Sequence, residues 1–232
     1  MSVITISRQM ASHGDQIGAE VARVLGFRFI DREIIHRAAE EVGVPKIALQ
    51  EIAYEGRRNV VERILQAMNT MPPIPATAEA WRREAATSVA QPFGGIFSAA
   101  VPPFAITLKD YVRVMEMVIR NLSREGSVVL VGRGGQVVLR DMSQALHVQI
   151  VGPFQRRVAT LVEREGIAER DASVALKASD RARKDYLRRY HRADWLDPNL
   201  YDLVINTGKI SPMQAAELVV SAYRGVQGLR DG

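Results

Sequence analysis

The chain opens on an unbroken apolar and β-branched run, Val3-Ile4-Thr5-Ile6. Such a run suits a strand buried on both faces of a parallel sheet. Polar residues and the turn formers Ser12 and Gly14 follow. Ile17, Val21, Val24 and Leu25 then recur at helical spacing, and Gly26 is placed as a C-cap. Phe27 to Ile30 alternates as a second short strand. Asp31, at its carboxyl end, can cap a helix over Arg32–Val42. Further along, Thr107 is an N-cap with Asp110 three residues on. Leu108, Tyr111, Val112, Met115, Val118, Ile119 and Leu122 share one helical face. Ser127–Val131 is the strongest buried strand. A short helix over Gln136–Arg140, a strand over Ala145–Val151 and a helix with Pro153 in an N1-like place come next. A long charged helix spans about 168–190. Leu203–Asn206 is a last strand, and Ser211-Pro212 starts a helix to about Tyr223, before a fraying tail over 225–232.

Strands alternating with helices predict an α/β fold. Its form is a doubly wound, mostly parallel five-stranded sheet with helices on both faces. Residues 1–50 and 107–225 supply that core. Residues 51–106 break the pattern, above all at Met71-Pro72-Pro73-Ile74-Pro75. They form a helical insertion, with helices over about 59–68 and 77–89 and a loop over 91–103. Met68, Met71, Trp81, Phe93, Phe97 and Phe104 suit internal packing or a homo-oligomer surface.

With 232 residues the chain can bury one core and carry a small insertion. It has no Cys, which excludes a disulfide framework and thiolate metal sites. No apolar run is long enough to span a membrane. No basic segment precedes the first strand, so a cytoplasmic location is expected. The net charge of +5 is local: Arg156–Arg192 holds eleven Lys/Arg against six acids, an excess equal to that of the whole chain. A local excess points to an anionic ligand, with a solvated helical face as the plain alternative. A nucleic-acid surface is the weaker reading, because few aromatics beyond Tyr186, Tyr190 and Trp195 accompany the charge.

A strand–loop–helix opening leaves free N–H groups that attract phosphate. The phosphate-loop pattern G-x-x-x-x-G-K-[ST] is nonetheless broken. Aligned on Gly14, Gln9 stands at the first Gly, Asp15 at the Lys and Gln16 at the Ser/Thr. An acid about 4 Å from a phosphate charge opposes binding by roughly 4 kcal/mol at an effective dielectric near 20. As a first-turn helix residue, Asp15 gains roughly 0.3–1 kcal/mol from the dipole. Anion binding and simple capping both stay open. If Asp15 repels a donor, Asp15→Lys tightens triphosphate binding. Downstream, Gly132-Arg133-Gly134-Gly135 sets a cation between glycines at a strand end, suited to bidentate phosphate or carboxylate contact. Asp31 and Arg32 also sit at a strand's carboxyl end, where parallel sheets bind ligands. His13, His36, His147 and His191 have no metal-ligand spacing.

The sequence resembles the cytidylate kinase-like family of nucleoside monophosphate kinases. One part of the resemblance is Ile4-Thr5-Ile6-Ser7-Arg8 through Gly18, with Phe29-Ile30-Asp31-Arg32-Glu33. The other is Val131 to Gly134, Leu139 to Asp141, Leu146 to Val148, Asp180 to Arg183, Asp194-Trp195 and Asp202 to Thr207. The resemblance implies a P-loop kinase fold and phosphoryl transfer from ATP, with Mg²⁺, to a CMP-like acceptor. Ser12, His13, Gly14, Asp15 and Gln16 would meet the donor phosphates. Asp31, Arg32 and Arg133 would line the acceptor side, and residues 51–106 would be a monophosphate-binding or oligomerisation subdomain. Arg181, Arg183 and Asp180 would belong to a helical, Arg-rich lid over about 170–197. Arg133, Arg181 and Arg183 would be catalytic, and Asp180 would bind substrate. Two departures stand out. Members often carry an Arg where this chain has Asp15, and Gly134 replaces the acid of the Gly-Arg-Asp turn of cytidylate kinases proper. A working phosphotransferase and a catalytically degenerate nucleotide- or partner-binding relative are therefore both consistent with the chain.

Overall fold

A computed structural model describes residues 2–31, 33–35 and 108–228. The expected insertion over 51–106, the end of the helix over Arg32–Val42, and Arg32, His36 and Thr107 lie outside the described residues. The chain divides into two compact units, Met1–Gly56 with Ile106–Gly232, and Arg57–Ala105. Everything described below belongs to the first.

Strand β1 (Val3–Arg8) leads through a loop into α1 (Gly14–Leu25), and β2 (Arg28–Ile30) follows. Helix α2 (Leu108–Arg124) precedes β3 (Val128–Val131), the short α3 (Gly135–Val138) and β4 (Ala145–Val151). Helices α4 (Phe154–Glu165) and α5 (Glu169–Tyr186) come next, and α5 relaxes into a π-helical turn over Leu187–His191. A 3₁₀ turn (Pro198–Leu200), β5 (Leu203–Asn206) and α6 (Pro212–Gly228) complete the unit. All four strand pairings are parallel, in the order β2-β3-β1-β4-β5. The expected five-stranded parallel sheet is therefore the sheet observed.

Its two faces differ, as the period of a strand requires. Ile4 and Ile6 of β1 lie in register with Val129 and Val131 of β3 and with Leu146 and Val148 of β4. These residues pack with Ile17, Val21 and Ala22 of α1 and Ala215, Val219 and Val220 of α6 into one buried apolar core. On the other face, Thr5 pairs with His147 and Ser7 with Gln149. All four are buried, so this face must satisfy its polar groups internally. Helix α3 lies against it. A Cβ on Gly135 would come within 3.3 Å of Thr5 Cγ2.

Some boundaries differ from the sequence pattern. Val24 is 43% exposed, and Ala22 takes its expected place in the core. Pro153, with φ −55° and ψ 135°, is the N-cap of α4 rather than its first helical residue. Helix α6 continues to Gly228, because Val219, Val220 and Tyr223 keep burying its inner face. Its start is a reciprocal cap: Ser211 N–H donates to Gln214 Oε1 and Gln214 N–H to Ser211 Oγ.

Candidate active site

The carboxyl ends of β1, β3 and β4 converge on one place, and Arg8 lies across it. The stem of Arg8 packs on Gly14, where an added Cβ would fall 2.4 Å from Arg8 Cβ and 2.7 Å from Cγ. Its guanidinium reaches Gly132, where an added Cβ would sit 2.8 Å from Nη1. Gly132 N–H in turn donates to Ile6 O at 2.9 Å, fixing the end of β3 against β1. One cation therefore bridges the start of α1 and the Gly132–Gly135 turn. Its partner is Asp15, whose Oδ1 accepts from Arg8 Nε at 3.1 Å and lies 3.0 Å from Nη2. The pair is lopsided: the Arg8 side chain is 17% exposed and that of Asp15 62%.

The loop from Gln9 to His13 keeps its shape without the usual glycines. Ala11 and His13 both hold left-handed backbones, φ 60° and 62°. For residues with a Cβ this costs roughly 1–2 kcal/mol each. Side chains hold the loop there. Ser12 Oγ donates toward the carbonyls of Gln9 and Ile150 at 2.8 and 3.3 Å, and Gly152 N–H donates to Gln9 Oε1 at 3.0 Å. Buried Ser12 therefore braces the loop. His13 is the N-cap of α1, but its side chain makes no cap bond, and the first turn of the helix faces outward with Asp15 and Gln16 exposed. A cleft of about 510 Å³ opens there, between the loop and Thr160, Glu163 and Arg164 of α4. That volume is within the range of small-molecule sites.

The glycine-flanked arginine is under backbone tension. Gly132, Arg133 and Gly134 have φ of 85°, 55° and 71° in succession. Only Arg133 carries a Cβ in that left-handed run, a conformation that functional sites retain when neighbours enforce it. Behind it, an added Cβ on Gly134 would lie 3.4 Å from His191 Nε2 and from Tyr186 Cε1. At the position where the resemblance leads to an acid, Gly134 sets bare backbone against a histidine ring. Burial lowers the His191 pKa below 6.5. The nearby Glu116 carboxylate, 3.5 Å from Nδ1, opposes that shift, and Arg140 adds to it.

Arg157 ties the site to the Arg-rich helix. Its side chain is 5% exposed, and it donates to both Asp180 oxygens at 3.1 and 2.8 Å. It also donates to Gly152 O at 3.1 Å and Met10 O at 3.4 Å. The backbone of the β1–α1 loop, the exit of β4 and helix α5 are thereby joined through one guanidinium. Beyond it, Arg183 lies 5.9 Å from the Trp195 ring centre and donates to Ser179 O and Oγ. Trp195 is fully buried, and its Nε1–H donates to Ser7 Oγ at 2.8 Å. Tyr201 Oη donates to Trp195 O at 2.8 Å, and Gln149 Nε2 donates to the same carbonyl at 3.0 Å. Gln136 Nε2 donates to Tyr201 Oη at 3.2 Å. Burial pushes the Tyr201 phenol up to about 12, so it stays a donor at neutral pH.

Of the residues expected at the site, Gly14, Asp15, Arg133 and the loop residues Ser12, His13 and Gln16 lie on the elements around Arg8. Asp180 is engaged by Arg157, and Arg181 is an exposed residue of α5. Asp31 caps the next helix by accepting from Glu33 and Ile34 N–H at 2.9 and 3.0 Å. Arg157, Trp195 and Tyr201 carry structural roles that the sequence pattern did not assign. Among the described residues, no group of three or more His, Cys, Asp or Glu could hold a metal ion, and no helix is long and apolar enough to cross a membrane.

The chain is similar to several known proteins. A uronate isomerase from Corynebacterium glutamicum is 32% identical over 95 residues, which are 41% of this chain and 18% of that protein. A cytidylate kinase from Pyrococcus horikoshii is 32% identical over 101 residues, 43% of this chain and 51% of that enzyme. The chain thus spans about half the length of the latter and a small part of the former. In three dimensions it is similar to an uncharacterized protein from Eubacterium ventriosum. The TM-score is 0.64 at 18% identity, covering 97% of this chain and 99% of the other. Residues 3–209 match the profile of one family, a span that includes Arg8, Arg133 and Arg157. The chain belongs to the cytidylate kinase-like family.

Proposed function

We propose that the chain transfers a phosphoryl group from ATP to a nucleoside monophosphate with a CMP-like base. The observation that carries this is the position of Arg8. Its guanidinium lies between the outward-facing first turn of α1, where a donor chain would be held, and the Arg133 turn, where an acceptor phosphate would be held. In transfer, an acceptor phosphate oxygen bonds to the γ-phosphorus as the bond to the β,γ-bridging oxygen breaks, leaving ADP and a nucleoside diphosphate. Little covalent help is needed, and cations placed over the moving charge supply most of the catalysis. Arg8 and Arg133 supply two such cations from rigid strand ends. Arg181 and Arg183, on the helix anchored by Asp180, would add charge from the lid and exclude water. With Gln16 where a Ser/Thr hydroxyl is usual, a Mg²⁺ would come in with the nucleotide and be held through phosphates and water.

A specific observation also favours the alternative, a nucleotide-binding relative without turnover: Asp15 already neutralises Arg8. Calorimetry with ATP–Mg²⁺, alone and with CMP, UMP, AMP or GMP, separates the two. Micromolar ATP binding with preference for one monophosphate, followed by ADP release in a coupled assay, is the expected result. ATP binding without ADP release under any monophosphate would establish the alternative. No ATP binding at millimolar concentration would refute the phosphotransferase.

A further inference from the structure

The Arg8–Asp15 pair is unequal in a way that suggests its use. Arg8 is held on two sides, its stem by the bare backbone of Gly14 and its tip by that of Gly132. Asp15 is held by Arg8 alone among the described contacts, on the exposed first turn of α1, with more than half its side chain in water. The cation is therefore fixed and the anion is free to leave. The α1 start has no side-chain cap, so the groups that Asp15 would yield to an incoming anion are one guanidinium and the N–H groups of that turn. The 510 Å³ cleft opens on that turn and is lined by Gln9, Ala11 and His13 to Gln16, with Thr160, Glu163 and Arg164 of α4 opposite.

Building on the phosphotransferase reading, we infer that Asp15 is a displaceable counter-ion. It occupies Arg8 while the site is empty and swings out when a polyphosphate chain arrives. Asp15 thereby sets a charge threshold on what the loop accepts. A monovalent or divalent phosphate gains little by replacing a carboxylate already in place. A tri- or tetravalent chain contacts Arg8 and the helix N–H groups together and outcompetes it. The acid at the position of the usual loop cation is on this view a filter for polyphosphate donors. A second consequence concerns Asp15→Lys. It would set two cations side by side at the α1 start, so Asp15→Asn is the cleaner probe.

The experiment measures the affinity of the full chain for tripolyphosphate, inorganic phosphate and ATP–Mg²⁺. The proteins are wild type, D15N, R8A and the double variant R8A/D15N, each checked for folding by circular dichroism. D15N is expected to bind inorganic phosphate about tenfold more tightly and tripolyphosphate about threefold more tightly, so the preference for the longer chain shrinks. These gains are of the size of an exposed ion pair plus the relief of like-charge contact. R8A is expected to lose about 10- to 100-fold in tripolyphosphate affinity, as for a charge-assisted hydrogen bond. In the double variant, D15N is expected to bring no further gain. ATP binding that is unchanged by D15N, or a D15N gain that persists without Arg8, overturns the counter-ion role and leaves the phosphotransferase standing. Failure of all four proteins to bind ATP and tripolyphosphate overturns both. Should R8A fail to fold, R8K replaces it. R8K keeps the charge but not the two-point contact with one oxygen, and D15N must then gain less in that background than in wild type.

Discussion

Truncating Arg157 to Ala tests whether the tether between the β1–α1 loop and helix α5 carries stability. The guanidinium donates four hydrogen bonds: two to Asp180, one to Gly152 O and one to Met10 O. Its side chain is 5% exposed, while Asp180 is 26% exposed. Breaking a buried ion pair from one side costs about 3–5 kcal/mol, because it strands the remaining charge. Water reaches Asp180 from its open side, so the lower end applies, about 3 kcal/mol. The carbonyls of Gly152 and Met10 border the same void, and water entering it can satisfy them, so they add little. For a unit of this size, each kcal/mol shifts the melting temperature by about 2–4 °C. R157A should therefore melt about 6–12 °C lower by circular dichroism. R157A/D180N should recover part of the loss, since removing the stranded charge removes most of its cost. A drop below 2 °C, or strictly additive losses from R157A and D180N, would refute the tether.

Gly132→Ala adds a Cβ at φ 85° and 2.8 Å from Arg8 Nη1, so the guanidinium must leave its place. The fold should survive with a loss of about 1–2 kcal/mol, while ATP affinity falls several-fold; unchanged affinity would remove Arg8 from the phosphate site. Trp195→Phe deletes the donor to Ser7 Oγ and should cost about 1–2 kcal/mol, seen as a melting temperature lower by a few degrees. An unchanged value would mean that the polar layer is not a unit. For pH, burial lowers both His147 and His191 below 6.5. Their neutral forms stabilise the fold fully above pH 6.5. Below it the unfolded chain takes up protons that the folded chain refuses, so stability falls on acidification until the folded values are reached. The slope should approach at most about 1.4 kcal/mol per pH unit for each histidine. Urea titrations between pH 7 and 5.5 read it, and a flat profile would contradict the burial.

What the sequence disclosed and what it hid divide along a physical line. The apolar runs Val3–Ile6 and Val128–Val131 announce central strands because a strand covered on both faces has no other way to be soluble in its own fold. The long helices follow from their periodic faces. The polar face of the sheet was also written in the chain, at Thr5 and Ser7 and again at His147 and Gln149, two residues apart on adjacent strands. That alternation inside otherwise buried strands was the available signal for a polar layer. Its completion by Trp195 and Tyr201 was not, since these lie 188 and 194 residues from Ser7 along the chain. Arg157 was hidden for a different reason. In sequence it is one of eleven basic residues between Arg156 and Arg192, and only the fold distinguishes a cation buried among carbonyls from one in water.

Asp15 shows why a broken motif could not be judged from spacing. Counted along the chain, it stands where a lysine belongs and so reads as an acid facing phosphate. In space the charge it meets is that of Arg8, seven residues earlier, supplied by the end of β1 rather than by the start of α1. The loop thus retains a cation at its centre although the expected position has reversed sign. The same logic applies to the missing glycines. Ala11 and His13 accept left-handed backbones because Gln9, Ser12 and Arg157 bond the loop on every side. A loop held by side chains rather than by glycine is more rigid before ligand arrives. On the proposed reading it presents Arg8 and the α1 N–H groups already oriented, and the exposed carboxylate of Asp15 is the part that moves.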